Sequence, residues 1–272
     1  MEKTVLNRLG TGRWLFGVVS LMVLQEVGAQ PSWPELQRKP VALVANDWCP
    51  QHCESGAPDK GYVVDIVTQA LQSQGVPYTL HYFPWSRAMR MVDRGEVDGL
   101  LTPTVPGFPK YIFHAQAVGY QQYCFYADKS SQWRYRQPAD LQNQHIAMLA
   151  DSGLGEVDDY LKAHHSTITV TRFKGEQHFA KRLFIFLGLK RADTVVLSTD
   201  VFEYGQSKGD IGRNFQAVGC LEKEKMVVGL SKKDERRSQM IGEALDQGII
   251  QLRKSGQLAK TLARYGMRDW KQ

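Results

Sequence analysis

"VALVANDWCPQHCESGAPDKGYVVDIVTQALQSQGVPYTLHYFPW", residues 41–85, decides how this chain folds. It opens with VALVAN (41–46), a short, nearly continuous apolar run of the kind that forms a strand buried on both faces. GYVVDIVTQALQSQG (61–75) then sets Val63, Ile66, Val67, Ala70 and Leu71 at helical spacing, with Gly75 as the stop. YTLHYFPW (78–85) reads as a second strand. Just beyond, SRAMRMVDRGE reads as a short helix capped by Ser86 and closed near Gly95, and VDGLLTPT (97–104) as a third strand. This β-α-β-α-β alternation implies a parallel sheet with helices on its faces.

A second series follows a loop rich in Pro and Gly (103–109). QYCFYA (122–127), HIAMLAD, TITVTRF and DTVVLST read as strands, with LGEVDDYLKAHH and EQHFAKRLFIFLG as helices among them. KMVVGLS (225–231) returns as a strand, and two helices close the chain. The first of these carries Ile241, Leu245, Ile249 and Leu252 on one face. Two similar α/β units in succession, without low-complexity segments, predict two lobes.

At the N-terminus, Lys3, Arg8 and Arg13 precede an apolar run from Trp14 to Leu24, and Val27-Gly28-Ala29 offers a small-residue exit. That order predicts a signal peptide over 1–29 and an exported mature chain beginning near Gln30. The apolar run is about half of the roughly 20 residues that a membrane-spanning helix needs. The formal net charge of +6 comes from basic residues spread along the chain, which describes a solvated surface and no nucleic-acid partner.

Export bears on CPQHC (49–53). Four readings are open: a local disulfide, free thiols, a metal site using His52, or a redox centre. A thioredoxin-type centre has two residues between its cysteines, whereas this one has three; a structural zinc needs four ligands, and no second pair has zinc-finger spacing. A disulfide is the leading reading. The four cysteines, Cys49, Cys53, Cys124 and Cys220, allow three pairings.

Ligands of open α/β sheets bind beyond the carboxyl ends of strands. The groups at those ends are Asp47 and Trp48, then Trp85, then Thr102 and Thr104, and in the second unit Asp151, Ser152 and Gly153, then Ser198, Thr199 and Asp200. Trp48 and Trp85 suit the apolar or cationic part of a ligand, or else they are core aromatics. Ser152-Gly153-Leu154-Gly155 opens a helix, whose free N–H groups suit an anion or simply form a capped turn. No Ser-His-Asp spacing, metal motif or phosphate loop points to chemistry, so neither an enzyme nor a cofactor is expected.

GYVVDIVTQALQSQG with FPWSRAMRMVDRGEVDGLL, and the ending IIQLRKSGQLAKTLARYG, together resemble the bacterial extracellular solute-binding proteins of family 3. These are periplasmic receptors that typically serve amino-acid ABC transporters. The resemblance covers roughly residues 40–268. It rests most on Gly61 with Asp65, Pro84-Trp85, Gly95-Glu96-Val97-Asp98-Gly99, and Gly256 with Tyr265-Gly266. DWCP, WRY (133–135) and AVGCLE (217–222) look like a less-studied branch of the family.

The resemblance implies a two-lobed periplasmic binding protein-like fold of type II. Each lobe would be a mostly parallel sheet flanked by helices, with the lobes spanning 34–125 plus 222–272 and 126–221. Cys124 and Cys220 would then lie on the two crossing segments side by side, which implies the pairing Cys49–Cys53 with Cys124–Cys220. Two departures concern the family's grip on an α-amino acid. Its usual arginine is missing from TPTVPGFPK, where Lys110, a mobile point charge without a planar fork, stands instead. Its usual aspartate after the DAVV-like strand falls on Ser198, with Asp200 two residues on.

The implied function is a monomeric periplasmic protein that closes around a small polar organic solute and presents it to an ABC permease. The alternatives are a ligand-sensing partner of a membrane kinase or cyclase, and a dehydratase on the same fold.

Overall fold

The structure is a computed structural model, and it describes residues 33–54, 57, 59–103, 108–150, 152–173 and 178–270. The leader expected at 1–29 lies outside the described residues. The chain runs α1 (Pro34–Arg38), β1 (Val41–Ala45), α2 (Tyr62–Ser73), β2 (Tyr78–Tyr82), α3 (Trp85–Arg94), β3 (Gly99–Leu100), β4 (Ile112–Phe113), β5 (Gly119–Gln121) and β6 (Tyr123–Asp128). It continues through β7 (His145–Leu149), α4 (Glu156–Ala163), β8 (Thr169–Phe173), α5 (Phe179–Gly188), β9 (Thr194–Ser198), α6 (Thr199–Lys208) and β10 (Phe215–Cys220). β11 (Glu224–Met226), β12 (Gly229–Leu230), α7 (Glu235–Lys254) and α8 (Gln257–Ala263) complete it.

Two five-stranded sheets result, in the orders β2-β1-β3-β12-β4 and β10-β6-β9-β7-β8. Each has three parallel strands, β2-β1-β3 in one and β9-β7-β8 in the other. The remaining two strands of each sheet pair antiparallel to their neighbours. The sheets are therefore more mixed than the alternating sequence predicts. Of the added strands, β12 and β6 run against the parallel set, whereas β4 and β10 run with it. KMVVGLS, expected as one strand, is two: β11 pairs with β5 in a separate ribbon, and β12 pairs with β3 and β4.

The first core forms between the sheet and the α2–α7 pair, with Leu43, Ile66, Leu71, Ile241 and Leu245 fully buried. Gly248 lets α7 press against α2, since a Cβ there would meet the Ala70 carbonyl oxygen at 2.3 Å. The second core gathers Tyr126, Phe184 and Phe202 against β7 and β9, with the Tyr126 and Phe202 rings stacked at 4.0 Å. Buried Arg237 ties the start of the first sheet together. Its Nε and Nη2 donate to the two oxygens of Asp98 at 2.7 and 3.0 Å, and Nη2 also reaches the carbonyls of Lys39 and Pro40. Asp98 Oδ2 in turn accepts the Ala42 N–H. Asp98 of the GEVDG stretch is thus a framework residue, as is Asp65, whose carboxylate takes the Tyr265 hydroxyl at 2.7 Å.

The two crossings run antiparallel as β6 and β10. Cys124 faces Cys220 in their register, and a disulfide joins them across Cα atoms 3.9 Å apart. A second disulfide joins Cys49 to Cys53.

Candidate functional site

The Cys49–Cys53 loop is built as a turn. Trp48 and His52 exchange backbone hydrogen bonds of 2.7 and 3.2 Å, and the disulfide closes the segment between them. The carbonyls of Pro50 and Gln51 accept the N–H groups of Tyr62 and Val63, capping the first turn of α2. Gly61 permits this approach: its φ is +99° and a Cβ would sit 2.4 Å from the Gln51 carbonyl oxygen. Asp47 fixes the far side of the loop by accepting the Glu54 N–H at 2.9 Å; burial pushes its carboxyl pKa up.

This loop presents Trp48, Gln51 and His52 to a cavity of about 400 Å³. The rest of its first-lobe wall comes from the ends of β1, β2 and β3 and the loop beyond: Asn46, Pro84 to Ser86, Thr102 and Phe108. The opposite wall is Leu149, Ala150, Ser152 and Gly153 after β7 and Phe173 at the end of β8, while Gln121 and Tyr123 form the back at the crossing. The cavity therefore lies at the carboxyl ends of parallel strands from both sheets. Its size falls in the range of small-molecule sites, about 300–1,000 Å³.

The Asn46 carbonyl can only accept, so His52 donates Nδ1–H to it at 2.6 Å, and Nε2 accepts the Thr102 hydroxyl at 2.8 Å. Burial lowers the His52 pKa to about 4, so the ring is neutral at physiological pH. Thr102 has φ 58°, a left-handed conformation that a β-branched residue rarely adopts; such strain gathers at functional positions. Tyr123 is held in its neutral form, since burial raises its pKa and Asp200 and Glu224 add to the rise.

Trp48 crosses between the lobes. Its indole stacks on Phe179 of the second lobe at 4.5 Å and 15°, so it belongs at once to a core and to the cavity wall. Asp200 lies behind the wall. Its carboxylate accepts Gln51 Nε2 at 2.9 Å and the Tyr62 hydroxyl at 3.3 Å, both from the first lobe. Burial raises its pKa, and these bonds with that of the Val201 N–H partly offset the rise.

Of the residues that the sequence nominates, Trp48, Trp85, Thr102, Ser152 and Gly153 line the cavity, and Asp47 and Asp200 stand behind it. Thr104 and Asp151 lie outside the described residues. Lys110 is elsewhere: its ammonium pairs with Asp93 at 2.6 Å and is half exposed to solvent. Helix α4 starts only at Glu156, its first turn carries Glu156, Asp158 and Asp159, and Asp158 already accepts the Leu154 N–H. Those three carboxylates oppose an anion there. The sequence reading missed Asn46, Gln51, Phe108, Gln121, Tyr123 and Phe173 as wall residues. Asn46 and Phe173 could have been found, because each stands at the carboxyl end of a parallel strand; Gln51 and Phe108 depend on how loops fold back, and Gln121 and Tyr123 on where the crossing strands pass. Among the described residues, no three His, Cys, Asp or Glu side chains converge as a metal site requires.

No family model and no curated protein sequence matches the chain. Solved structures do. A mutant of ArgBP from T. maritima has a TM-score of 0.67 at 19% identity, over 85% of this chain and 97% of its own. A histidine kinase sensor domain similar to periplasmic binding proteins has 0.67 at 16%, over 85% and 98%. A putative L-cystine ABC transporter protein from Listeria monocytogenes has 0.67 at 16%, over 83% and 95%. What the chain shares with them is the fold: two α/β lobes of the periplasmic binding protein type.

Proposed function

We propose that this is a periplasmic solute-binding protein that closes its lobes around a small polar organic solute and hands it to an ABC permease. The observation that carries this reading is the cavity walled by strand ends of both sheets, with Trp48 bridging them. The units of motion are 34–125 plus 222–272 and 126–221, in a monomer. A solute that touches both walls only in the closed arrangement favours that arrangement by its differential affinity, and the membrane partner reads the closed surface. Among the described residues no helix is long and apolar enough to cross a membrane. The protein binds without chemistry.

An ordinary α-amino-acid grip lacks support here, because Lys110 is paired with Asp93 and Asp200 with Gln51 and Tyr62. A second reading, a sensor partner of a membrane kinase, draws on the similar sensor-domain structure and on the disulfide across the crossings. A thermal-shift screen of amino acids, polyamines, organic acids and uncharged ring compounds tests the binding role. A true solute raises the melting temperature in proportion to the logarithm of its concentration. A flat response across every class would count against solute binding.

A further inference from the structure

The composition of the cavity wall narrows the class of guest, given the solute-binding reading. Aromatic rings come from both lobes: Trp85 and Phe108 on one side, in edge-to-face contact at 5.7 Å, Phe173 on the other, and Tyr123 at the crossing between them. Ring faces favour flat, polarisable guests. The polar groups among them are neutral: the amides of Asn46, Gln51 and Gln121, the hydroxyls of Ser86, Thr102 and Ser152, and the uncharged His52.

Among the described residues, no side chain of the wall carries a formal charge. The charged groups behind it are engaged with the protein itself. Asp200 holds Gln51 and Tyr62, Asp47 holds the Glu54 N–H, the Arg182 guanidinium lies over Phe173 at 5.4 Å, and that of Arg87 over Phe83 at 4.5 Å. Against these described groups a carboxylate would lose its hydration without gaining an opposite charge; Asp151, Lys174 and Glu176, neighbours of wall residues in sequence, lie outside the described residues. Two buried atoms of wall residues also have no hydrogen-bond partner: Trp48 Nε1, a donor, and Asn46 Oδ1, an acceptor. The polar edge of a guest would instead meet the amides of Asn46 and Gln121 and the hydroxyls of Ser86, Thr102 and Ser152, which between them offer both donors and acceptors.

We propose that the cavity selects an uncharged planar ring solute with an amide-type donor–acceptor edge, of the kind that a nucleobase or a carboxamide heterocycle presents. Nicotinamide and nicotinate share a ring and differ in that edge, so calorimetric titration of the full chain with each is the test, with adenine and uracil as further uncharged probes. Nicotinamide should bind at least about tenfold more tightly than nicotinate. Trp85→Ala should abolish that binding, with the variant's melting curve checking that it is folded.

Equal or tighter binding of nicotinate, or no binding of any of the three uncharged probes, overturns the proposal. An α-amino acid that binds more tightly than all of them also overturns it, yet leaves the solute-binding reading standing, so the two failures are distinguishable.

Discussion

Burial takes the His52 ring out of water, and its two hydrogen bonds fix which nitrogen carries the proton. Its pKa falls from the ordinary 6.5 to about 4, so between those values the unfolded chain binds a proton that the folded chain does not. The stabilisation from this group is fully present above pH 6.5 and is lost as pH falls through 4. By pH 4 the loss is about 3 kcal/mol. His52→Gln removes the titration. Urea unfolding at pH 7 and pH 4 should therefore show the wild type losing about 3 kcal/mol more than the variant between the two conditions. Equal losses would mean that the ring titrates normally. At this scale the sequence was only partly legible. Trp48 admitted two readings, core or cleft, and it satisfies both because Phe179 covers one part of it while the cavity meets another. Lys110 stood at the right distance along the chain, but nothing in the sequence announced Asp93 as its partner.

The Cys49–Cys53 loop and α2 act as one element. Loop carbonyls cap the helix, the helix start holds the loop, and Gly61 is the point where they touch. Gly61→Ala puts a Cβ into the Gln51 carbonyl oxygen at a positive φ, and should cost about 1–3 kcal/mol. A melting temperature equal to that of wild type would show that the loop shifts freely. The same dependence explains which elements the sequence disclosed. Helices α2 and α7 and strands β1 and β9 bury regular apolar patterns, so periodicity alone placed them. Strands β4, β5 and β12 are two or three residues long, and they exist through the partners that the crossing brings. Helix α6 begins directly at Thr199, after β9, with no intervening turn to mark it.

Over the whole molecule, two sheets place their strand ends on one cavity, and two antiparallel crossings hold the lobes together. The Cys124–Cys220 disulfide joins the entry and exit of the second lobe, 96 residues apart in sequence. The β5–β11 ribbon pairs through backbone hydrogen bonds, with neither disulfide across it and with Met226 buried in the first core. In the proposed closure, the disulfide keeps the two crossings in register. The alternation of elements along the chain made the two lobes legible. The cavity wall was less so, because loops that return from distant positions supply much of it.

Native mass spectrometry of the folded protein taken from its own cells tests this account most directly. The account predicts a small-molecule adduct on the wild-type chain that disappears when Trp48 and Trp85 are both replaced by alanine. A bare wild-type mass, or an adduct that survives both substitutions, would contradict it.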